Sequence, residues 1–407
     1  MKRISFGQIC LGLGLISVTL PACQPQKEIP WQTFAETPEP FQPRPNSGNA
    51  WDEYFLAANL ARRATEKFSN QADLRDVEES SYLSRVQNSI SIATRASSLP
   101  CNAEFVPHDP FKPRLEHEGL TAIGRGIGIQ IKKAASSNSA SQAVTPIITA
   151  HRIADHLTHG DVQDAMLGYW IASNARQQAA PLLDKLDAGS LTRIGNSILA
   201  SLDEAAPPSE TINNEYKNML MGVQFVQDAH KTQDYGLLTT AFYKQAAPAI
   251  DYLRGLRPQD RPQFFTDFAA EAKLFSDQAQ SVADQPANER KSITLSGERP
   301  WKRFSQHLFE PVLTFLEARD RHIARSRLFA LTCLATAAGK TTGKAPLDFT
   351  NLPPEASTDP YTGKPFPYQR AEREFKIYSV GPDGRDDGGE SRGNGLEPDI
   401  TIEPEPN

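Results

Sequence analysis

Residues 143–161, AVTPIITAHRIADHLTHGD, show how this chain is organised. Their apolar side chains recur in steps of four and three, which places them on one face of an amphipathic helix: Ala143, Ile147, Ala150, Ala154 and Leu157. Gly160 is expected to end that helix in a left-handed conformation, and Asp161 to cap the next one. A helix, a tight turn and a second helix form an antiparallel hairpin, so the stretch predicts helical hairpins.

The same spacing recurs further along the chain. Two more stripes follow it: Ile212, Tyr216, Met219, Val223 and Val226, then Phe264, Phe268, Ala272, Phe275, Ala279 and Val282. A long helix is expected from about Pro311 to Ala338, ending at Gly339. No stretch in this region alternates with the period of two that marks a strand. The sequence therefore predicts a mainly α fold, either an antiparallel bundle of helical hairpins or a short solenoid.

The N-terminus has the layout of a bacterial lipoprotein signal. Lys2 and Arg3 precede a largely apolar run over residues 9–20, and Ala22 and Cys23 follow it. We expect cleavage before Cys23, a lipid on that cysteine, and a Pro-rich spacer behind it. The expected location is extracytoplasmic, on a bacterial membrane. The outer membrane, facing the periplasm, is favoured because no Asp follows the cysteine.

Charge and cysteine usage narrow the classes of partner. The chain has 43 basic and 49 acidic residues, a net charge of −6, which gives no basic surface for nucleic acid or anionic lipid. The lipid anchor is therefore the expected membrane contact, and the protein partner stays unidentified. Cys101 and Cys333 are the two cysteines left in the mature body. They form either a disulfide, which an oxidising compartment permits, or two separate buried thiols.

The pattern changes after Gly339. Residues 359–365, DPYTGKP, form a turn cluster, and short strands are expected over residues 366–369 and 374–380. An acidic, glycine-rich loop follows at residues 381–389, and residues 399–402 form a last short strand. These signals predict a small β segment behind the helical body.

This C-terminal segment resembles that of the major pseudopilin of type II secretion systems. The likeness rests on DPYTGKP, on YSVGPDG at residues 378–384, and on the closing pair Asp399-Ile400. It implies a structural Ca²⁺ site whose first candidate ligands are Asp383 and Asp399, with Asp386 and Asp387 as weaker ones. A solvated turn without metal is the alternative. The chain begins with a lipoprotein signal in place of a prepilin start, so assembly into a pilus is not implied.

The helical body followed by this tail is also similar to a group of exported, largely helical proteins of planctomycete-type bacteria. The predicted organisation has five parts: a signal peptide at 1–22, a linker at 23–46, a helical domain at 47–338, a pseudopilin-like segment at 339–403 and a tail at 404–407.

The sequence leaves three functions open. The first is a non-catalytic, membrane-anchored lipoprotein with a helical protein-interaction body and a calcium-stabilised C-terminal module. The second is an accessory component of a type II secretion or pilus-like system. The third is an extracytoplasmic hydrolase, which a buried carboxyl of raised pKa in a cleft would support. His156 and His159 are expected to be surface or capping histidines rather than metal ligands.

Overall fold

A computed structural model describes residues 42–69, 78–137, 139–242, 246–293, 299–371, 374–390 and 399–402. The predicted signal peptide, the expected lipidation site Cys23, most of the predicted linker and the 404–407 tail lie outside these ranges. Within them the chain forms eleven α-helices and one two-stranded sheet, which confirms the mainly α prediction. None of the described helices has the length and apolar character needed to cross a membrane.

The helices follow one another along most of the chain. Their bounds are α1 Ala50–Ser69, α2 Glu79–Ala96, α3 Leu115–Ser136, α4 Val144–Leu157, α5 Val162–Ala179, α6 Ala188–Glu204, α7 Pro208–Thr232, α8 Tyr235–Phe242, α9 Ala247–Gly255, α10 Arg261–Val282 and α11 Lys302–Thr342. The strands are β1 Tyr368–Ala371 and β2 Glu374–Ile377.

Two hydrophobic cores lie side by side in this bundle. The first is built from α1 to α6 and the C-terminal half of α11, and the second from α7 to α10 and the N-terminal half of α11. Helix α5 contributes to both cores. All three predicted stripes are buried, as the periodicity required. Helices α5 and α11 therefore join the two halves of the body.

The α4–α5 hairpin forms as predicted, but one detail of its turn is wrong. Asp161 does cap α5, because its Oδ1 accepts a hydrogen bond from the backbone N–H of Asp164 at 2.9 Å. Gly160, however, does not adopt a positive φ. A Cβ at Gly160 would lie 2.2 Å from Asp164 Oδ2, so glycine is required for the close approach of that carboxylate and not for a left-handed turn.

Helix α11 is longer than the sequence suggested. It begins at Lys302 rather than near Pro311, and it continues past Gly339 to Thr342, where Gly343 takes φ +75°. Pro311 lies inside the helix although it has no N–H to donate. The flanking residues Phe309 and Val312 are fully buried, so we infer that tertiary packing offsets the missing hydrogen bond.

The C-terminal segment is a small β module that packs on α11. Strands β1 and β2 pair antiparallel with Tyr368 opposite Ile377. Strand β1 has the predicted length but lies two residues further along the chain, and β2 ends at Ile377 instead of Val380. The last expected strand is reduced to one bridge between Ser379 and Ile400. The module shares a third core with α11: Ala324, Leu328, Leu331, Tyr361, Phe366, Ile377 and Ile400. Arg327 on α11 also donates to the Thr358 carbonyl at 2.7 Å.

Candidate functional site

Asp399 is the central residue of the predicted acidic site. Its side chain is buried, with 2% of the residue exposed. Oδ2 accepts hydrogen bonds from the backbone N–H groups of Asp387 (3.1 Å) and Gly389 (2.6 Å). Oδ1 is buried without any hydrogen-bond partner in the described part of the chain. A buried carboxylate oxygen without a partner is costly, so this atom marks a place where a ligand would be stabilising.

The other predicted ligands divide into two groups. Asp386 and Asp387 lie close enough to Asp399 that, after burial, their charges help to raise its pKa. Asp386 also accepts a hydrogen bond from the Tyr378 hydroxyl at 2.8 Å. Asp383 is exposed and accepts a hydrogen bond from the Arg385 N–H, as in an ordinary turn. Among the described residues, no group of three or more His, Cys, Asp or Glu side chains is arranged to hold a metal ion.

Asp359 holds the module together, a role that sequence reasoning missed. It is fully buried and accepts hydrogen bonds from the Tyr361 N–H (2.9 Å), the Ser379 hydroxyl (3.0 Å) and the Val380 N–H (3.1 Å). One carboxylate therefore ties the DPYTGKP turn to the YSVGPDG segment, and Ile400 pairs with that same segment. The Asp-Pro dipeptide indicated a turn, but not the distant partners of its carboxylate.

The two cysteines are free thiols in the structure. Of the two alternatives, the separate thiols are therefore present and the disulfide between Cys101 and Cys333 is not formed. Cys333 is fully buried, and Cys101 lies 3.6 Å from the carbonyl of His156. Burial raises the pKa of Cys101 to about 12, so little of it is thiolate at neutral pH.

The prediction of a surface or capping position is wrong for His156, because this side chain is buried. Its Nδ1 lies 2.9 Å from the Tyr54 hydroxyl, and burial lowers its pKa to about 4. His159 does have a capping role, since its Nε2 lies 3.1 Å from the carbonyl of Glu204, near the end of α6.

A buried polar cluster holds the hairpin turn in place, and we call it the joint cluster: Arg114, His117, Asp161, Asp164 and Asn218. Arg114 Nη1 donates to Asp161 Oδ2 and Asp164 Oδ2, each at 3.0 Å. His117 Nε2 lies 2.8 Å from Asp164 Oδ1, and Asn218 donates to Asp161 Oδ2 at 2.9 Å. Burial disfavours the charge on Asp164, but Arg114 and His117 outweigh burial and lower its pKa. The turn between α4 and α5 is therefore tied to α3 and α7.

Glu215 of α7 lies beside this cluster but behaves differently. It is 5% exposed, and its Oε2 is buried without a hydrogen-bond partner among the residues that the structure describes. Burial, followed by the nearby charge of Asp161, raises its pKa to about 8, although the Val162 N–H and the Asn218 side chain favour the charged form. Glu215 is therefore mostly protonated at pH 7. The sequence gave no signal of this, because Glu215 lies next to the apolar stripe of α7 without being part of it, as many exposed helical glutamates do.

A second buried polar cluster lies between α4, α5, α6 and α11, and we call it the seam cluster: His151, Asp155, Arg176, Ser201, His322 and Ser326. Asp155 accepts from the Ser201 hydroxyl at 2.7 Å, and its Oδ1 lies 3.3 Å from His322 Nε2. Arg176 donates to the Ser326 hydroxyl at 2.9 Å. Both ring nitrogens of His151, and Nδ1 of His322, have no hydrogen-bond partner in the structure.

Comparisons of the chain with protein-family models, with curated proteins and with solved structures found no match. The likeness of the C-terminal segment to pseudopilins therefore stays a prediction from the quoted motifs.

Proposed function

We propose that this protein is a lipid-anchored extracytoplasmic protein that acts by binding: a helical body with a protein-interaction surface carries a Ca²⁺-stabilised C-terminal module. The single observation that supports the module's role is the unpaired Asp399 Oδ1, buried beside the carboxylates of Asp386 and Asp387. Three neighbouring carboxylates repel one another, and a divalent cation removes that repulsion.

Calcium suits this place better than softer metals do. Ca²⁺ binds carboxylate and backbone carbonyl oxygens, and it tolerates irregular loop geometry. Asp399 would contribute Oδ1, while Asp386 and Asp387 would contribute from the loop, whose backbone already folds around Asp399 through two N–H bonds. Since Ile400 also belongs to the core shared with α11, ion binding at Asp399 would stabilise the module on the helical body.

Calorimetric titration of Ca²⁺ into the mature chain tests the module. We expect saturable binding by the wild type and by Asp383→Asn, and loss of binding by Asp399→Asn. Asp383→Asn is the matched control because the carboxylate of Asp383 accepts a local hydrogen bond from the Arg385 N–H, whereas Asp386 and Asp387 are the carboxylates whose charges act on Asp399. If the wild type does not bind, the metal proposal fails. If Asp383→Asn alone abolishes binding, Asp399 is the wrong residue.

The anchor has a separate test. Expressed in a bacterium, the wild type should take up labelled palmitate and sediment with membranes, and Cys23→Ala should do neither. Membrane association that survives Cys23→Ala would contradict the lipid anchor and leave the calcium proposal unaffected.

A second candidate function is an accessory role in a type II secretion or pilus-like machine. It is favoured by the way Asp359 and Ile400 gather the three motif segments into one unit. Crosslinking in a strain that has such a machine should recover one of its components with the wild type and not with Asp359→Ala. Recovery of no component with the wild type would contradict this role.

A hydrolase remains the third candidate, and Glu215 is the observation that favours it. A neutral carboxyl in a cleft has the protonation state that a general acid needs. Turnover of peptidoglycan, peptide or glycan that disappears in Glu215→Gln would establish it. Absence of turnover in the wild type would leave binding as the proposed function.

A further inference from the structure

A cleft of about 470 Å³ opens at the boundary where α5, α7 and α11 meet the loop before α3. Its walls are mainly apolar and come from four separate parts of the chain: Phe111, Val162, Met166, Met219 and Leu308. This volume lies within the range of small-molecule sites, and a concave apolar wall with a few polar groups is their usual form.

The aromatic wall of the cleft is fixed by its own packing. The Phe111 ring lies 4.6 Å from the Phe225 ring and 4.7 Å from the Phe242 ring, measured between centroids. The His307 ring lies parallel to it at 6.1 Å, with an interplanar angle of 11°. A wall already held by neighbouring rings loses little conformational entropy when a ligand packs against it.

Glu215 is the polar group that distinguishes this cleft from an apolar depression. It lines the cavity, and its Oε2 has no hydrogen-bond partner although the atom is buried. The Val162 N–H and the Asn218 side chain already hydrogen-bond to this carboxyl group. When Glu215 is protonated, its O–H group needs a hydrogen-bond acceptor. Among the described residues, Oε2 has no such partner.

The surroundings also select the charge of a ligand. Asp161 lies close enough to Glu215 to oppose its ionisation, and the more weakly acting Arg114 offsets part of that effect. Glu310 lines the cleft as a further acidic residue, and His307, whose pKa is lowered by burial, adds no positive charge at pH 7. An anion would meet these carboxyl groups and is disfavoured. A neutral ligand needs no change in the protonation of Glu215, whereas a cation would pair with Glu215 only after the buried carboxyl had lost its proton, which burial opposes.

We propose that this cleft binds a small uncharged molecule that combines an apolar ring or chain with a carbonyl oxygen, and that Glu215 donates a hydrogen bond to that oxygen. The apolar part packs on Phe111 and Met219, and the oxygen reaches Glu215 Oε2. This inference does not depend on the lipid anchor or on calcium, because it uses different residues in a different part of the molecule.

The test uses three matched probes that share a benzyl group. N-Benzylacetamide is neutral, benzylamine is cationic and phenylacetate is anionic at pH 7. Ligand-observed NMR titrations of each probe are made with the mature chain at pH 7 and at pH 9. The variants are Glu215→Gln, which keeps the shape and a donor but cannot ionise, and Phe111→Ala, which removes the aromatic wall.

We expect the amide to bind most tightly and to weaken by about tenfold from pH 7 to pH 9, because a Glu215 of pKa about 8 loses its proton over that range. Glu215→Gln should bind the amide equally at both pH values, and Phe111→Ala should lose it. Thermal unfolding of each variant shows whether it remains folded.

Three results would overturn the proposal. They are no saturable binding of the amide by the wild type, the same pH dependence in Glu215→Gln as in the wild type, or tighter Glu215-dependent binding of benzylamine than of the amide. The last result would assign the cleft to cationic ligands instead. Conversion of a probe to products would move the cleft to the hydrolase candidate.

Discussion

The joint cluster and the seam cluster both contain arginine, histidine and aspartate side chains but differ in how these are paired. In the joint cluster, Arg114 contacts both aspartates directly, and His117 contacts one of them. In the seam cluster, Arg176 donates to a serine hydroxyl, and both ring nitrogens of His151 are unpaired. The aspartates of both clusters are buried, so burial of these carboxylates alone does not explain how the clusters behave.

Pairing decides whether a buried group keeps its charge. Burial opposes the charge of Arg114, but Asp164 and Asp161 raise its pKa, and Arg114 in turn helps to lower the pKa of Asp164, so both groups keep their charges. In the seam cluster, burial raises the pKa of Asp155 to about 7 and lowers that of Arg176 to about 9. Burial likewise lowers the pKa of His151 well below its usual value. The joint is therefore held by direct contacts between opposite charges, whereas in the seam burial works against the charges of Asp155, Arg176 and His151.

Removing the arginine of the joint should have the largest effect. Arg114→Met would remove the guanidinium that contacts both buried carboxylates, Asp161 and Asp164, and the free energy of unfolding should fall by about 3–5 kcal/mol. Urea unfolding followed by circular dichroism measures this loss. The control is Arg254→Met, whose exposed pair with Asp251 should contribute little. Equal effects of the two substitutions would contradict the assigned role of Arg114.

Adding a methyl group at Gly160 leaves the charges of the joint cluster unchanged and should lower the stability less than Arg114→Met does. In Gly160→Ala the new Cβ would lie 2.2 Å from Asp164 Oδ2, so the carboxylate must move away from its partners. We expect a loss of about 2 kcal/mol in the free energy of unfolding, measured in urea. Gly255→Ala is the control, because a Cβ there meets nothing within 4 Å. A Gly160→Ala protein as stable as the wild type would show that the turn can relax.

Replacing a histidine with phenylalanine should have opposite effects on stability in the two clusters. His151→Phe removes two unpaired nitrogens and keeps a ring against Phe329, so it should stabilise the protein by about 1–2 kcal/mol at pH 7.5. His117→Phe instead removes the partner of Asp164 and should destabilise it. Thermal unfolding of both variants measures the contrast. Destabilisation by His151→Phe would indicate a partner, such as bound water, at its nitrogens.

The smallest expected effect is the pH dependence of the stabilisation by His151→Phe. Because the folded pKa of His151 is lowered, the unfolded chain binds more protons below about pH 6.5. Stability is therefore retained above that pH and lost as the pH falls. Asp155 acts in the opposite direction, since its raised pKa of about 7 makes the folded state bind a proton first.

Comparing variants at two pH values isolates the contribution of His151. The stabilisation by His151→Phe should be about 1 kcal/mol larger at pH 5.5 than at pH 7.5. An equal gain at both pH values would mean that His151 keeps a normal pKa in the fold. His322 and Arg176 act on the His151 ring, and Arg319 and Asp155 lie near His322. The same comparison in an Arg176→Met background measures how much Arg176 contributes to the lowered pKa of His151.

Local sequence patterns were enough to predict the helical body, most of its faces and the caps formed by neighbouring residues. Ile147 and Leu157 repeat with the period of a helix, and Asp161 reaches an N–H only three residues ahead. The DPYTGKP turn could likewise be predicted from neighbouring residues. These features depend on residues within one or two turns of each other, so composition and spacing contain the information.

The chemistry of the buried groups depended on the tertiary structure. Arg114 meets Asp161 after 47 residues, and His322 meets Asp155 after 167. Glu215 differs from any other helical Glu only because α5, α7 and α11 enclose it. Likewise Asp399, rather than Asp383, became the leading acidic residue because the loop folds over it. A side chain's pKa and pairing follow from which distant elements exclude water around it, and periodicity along the chain contains no information about that.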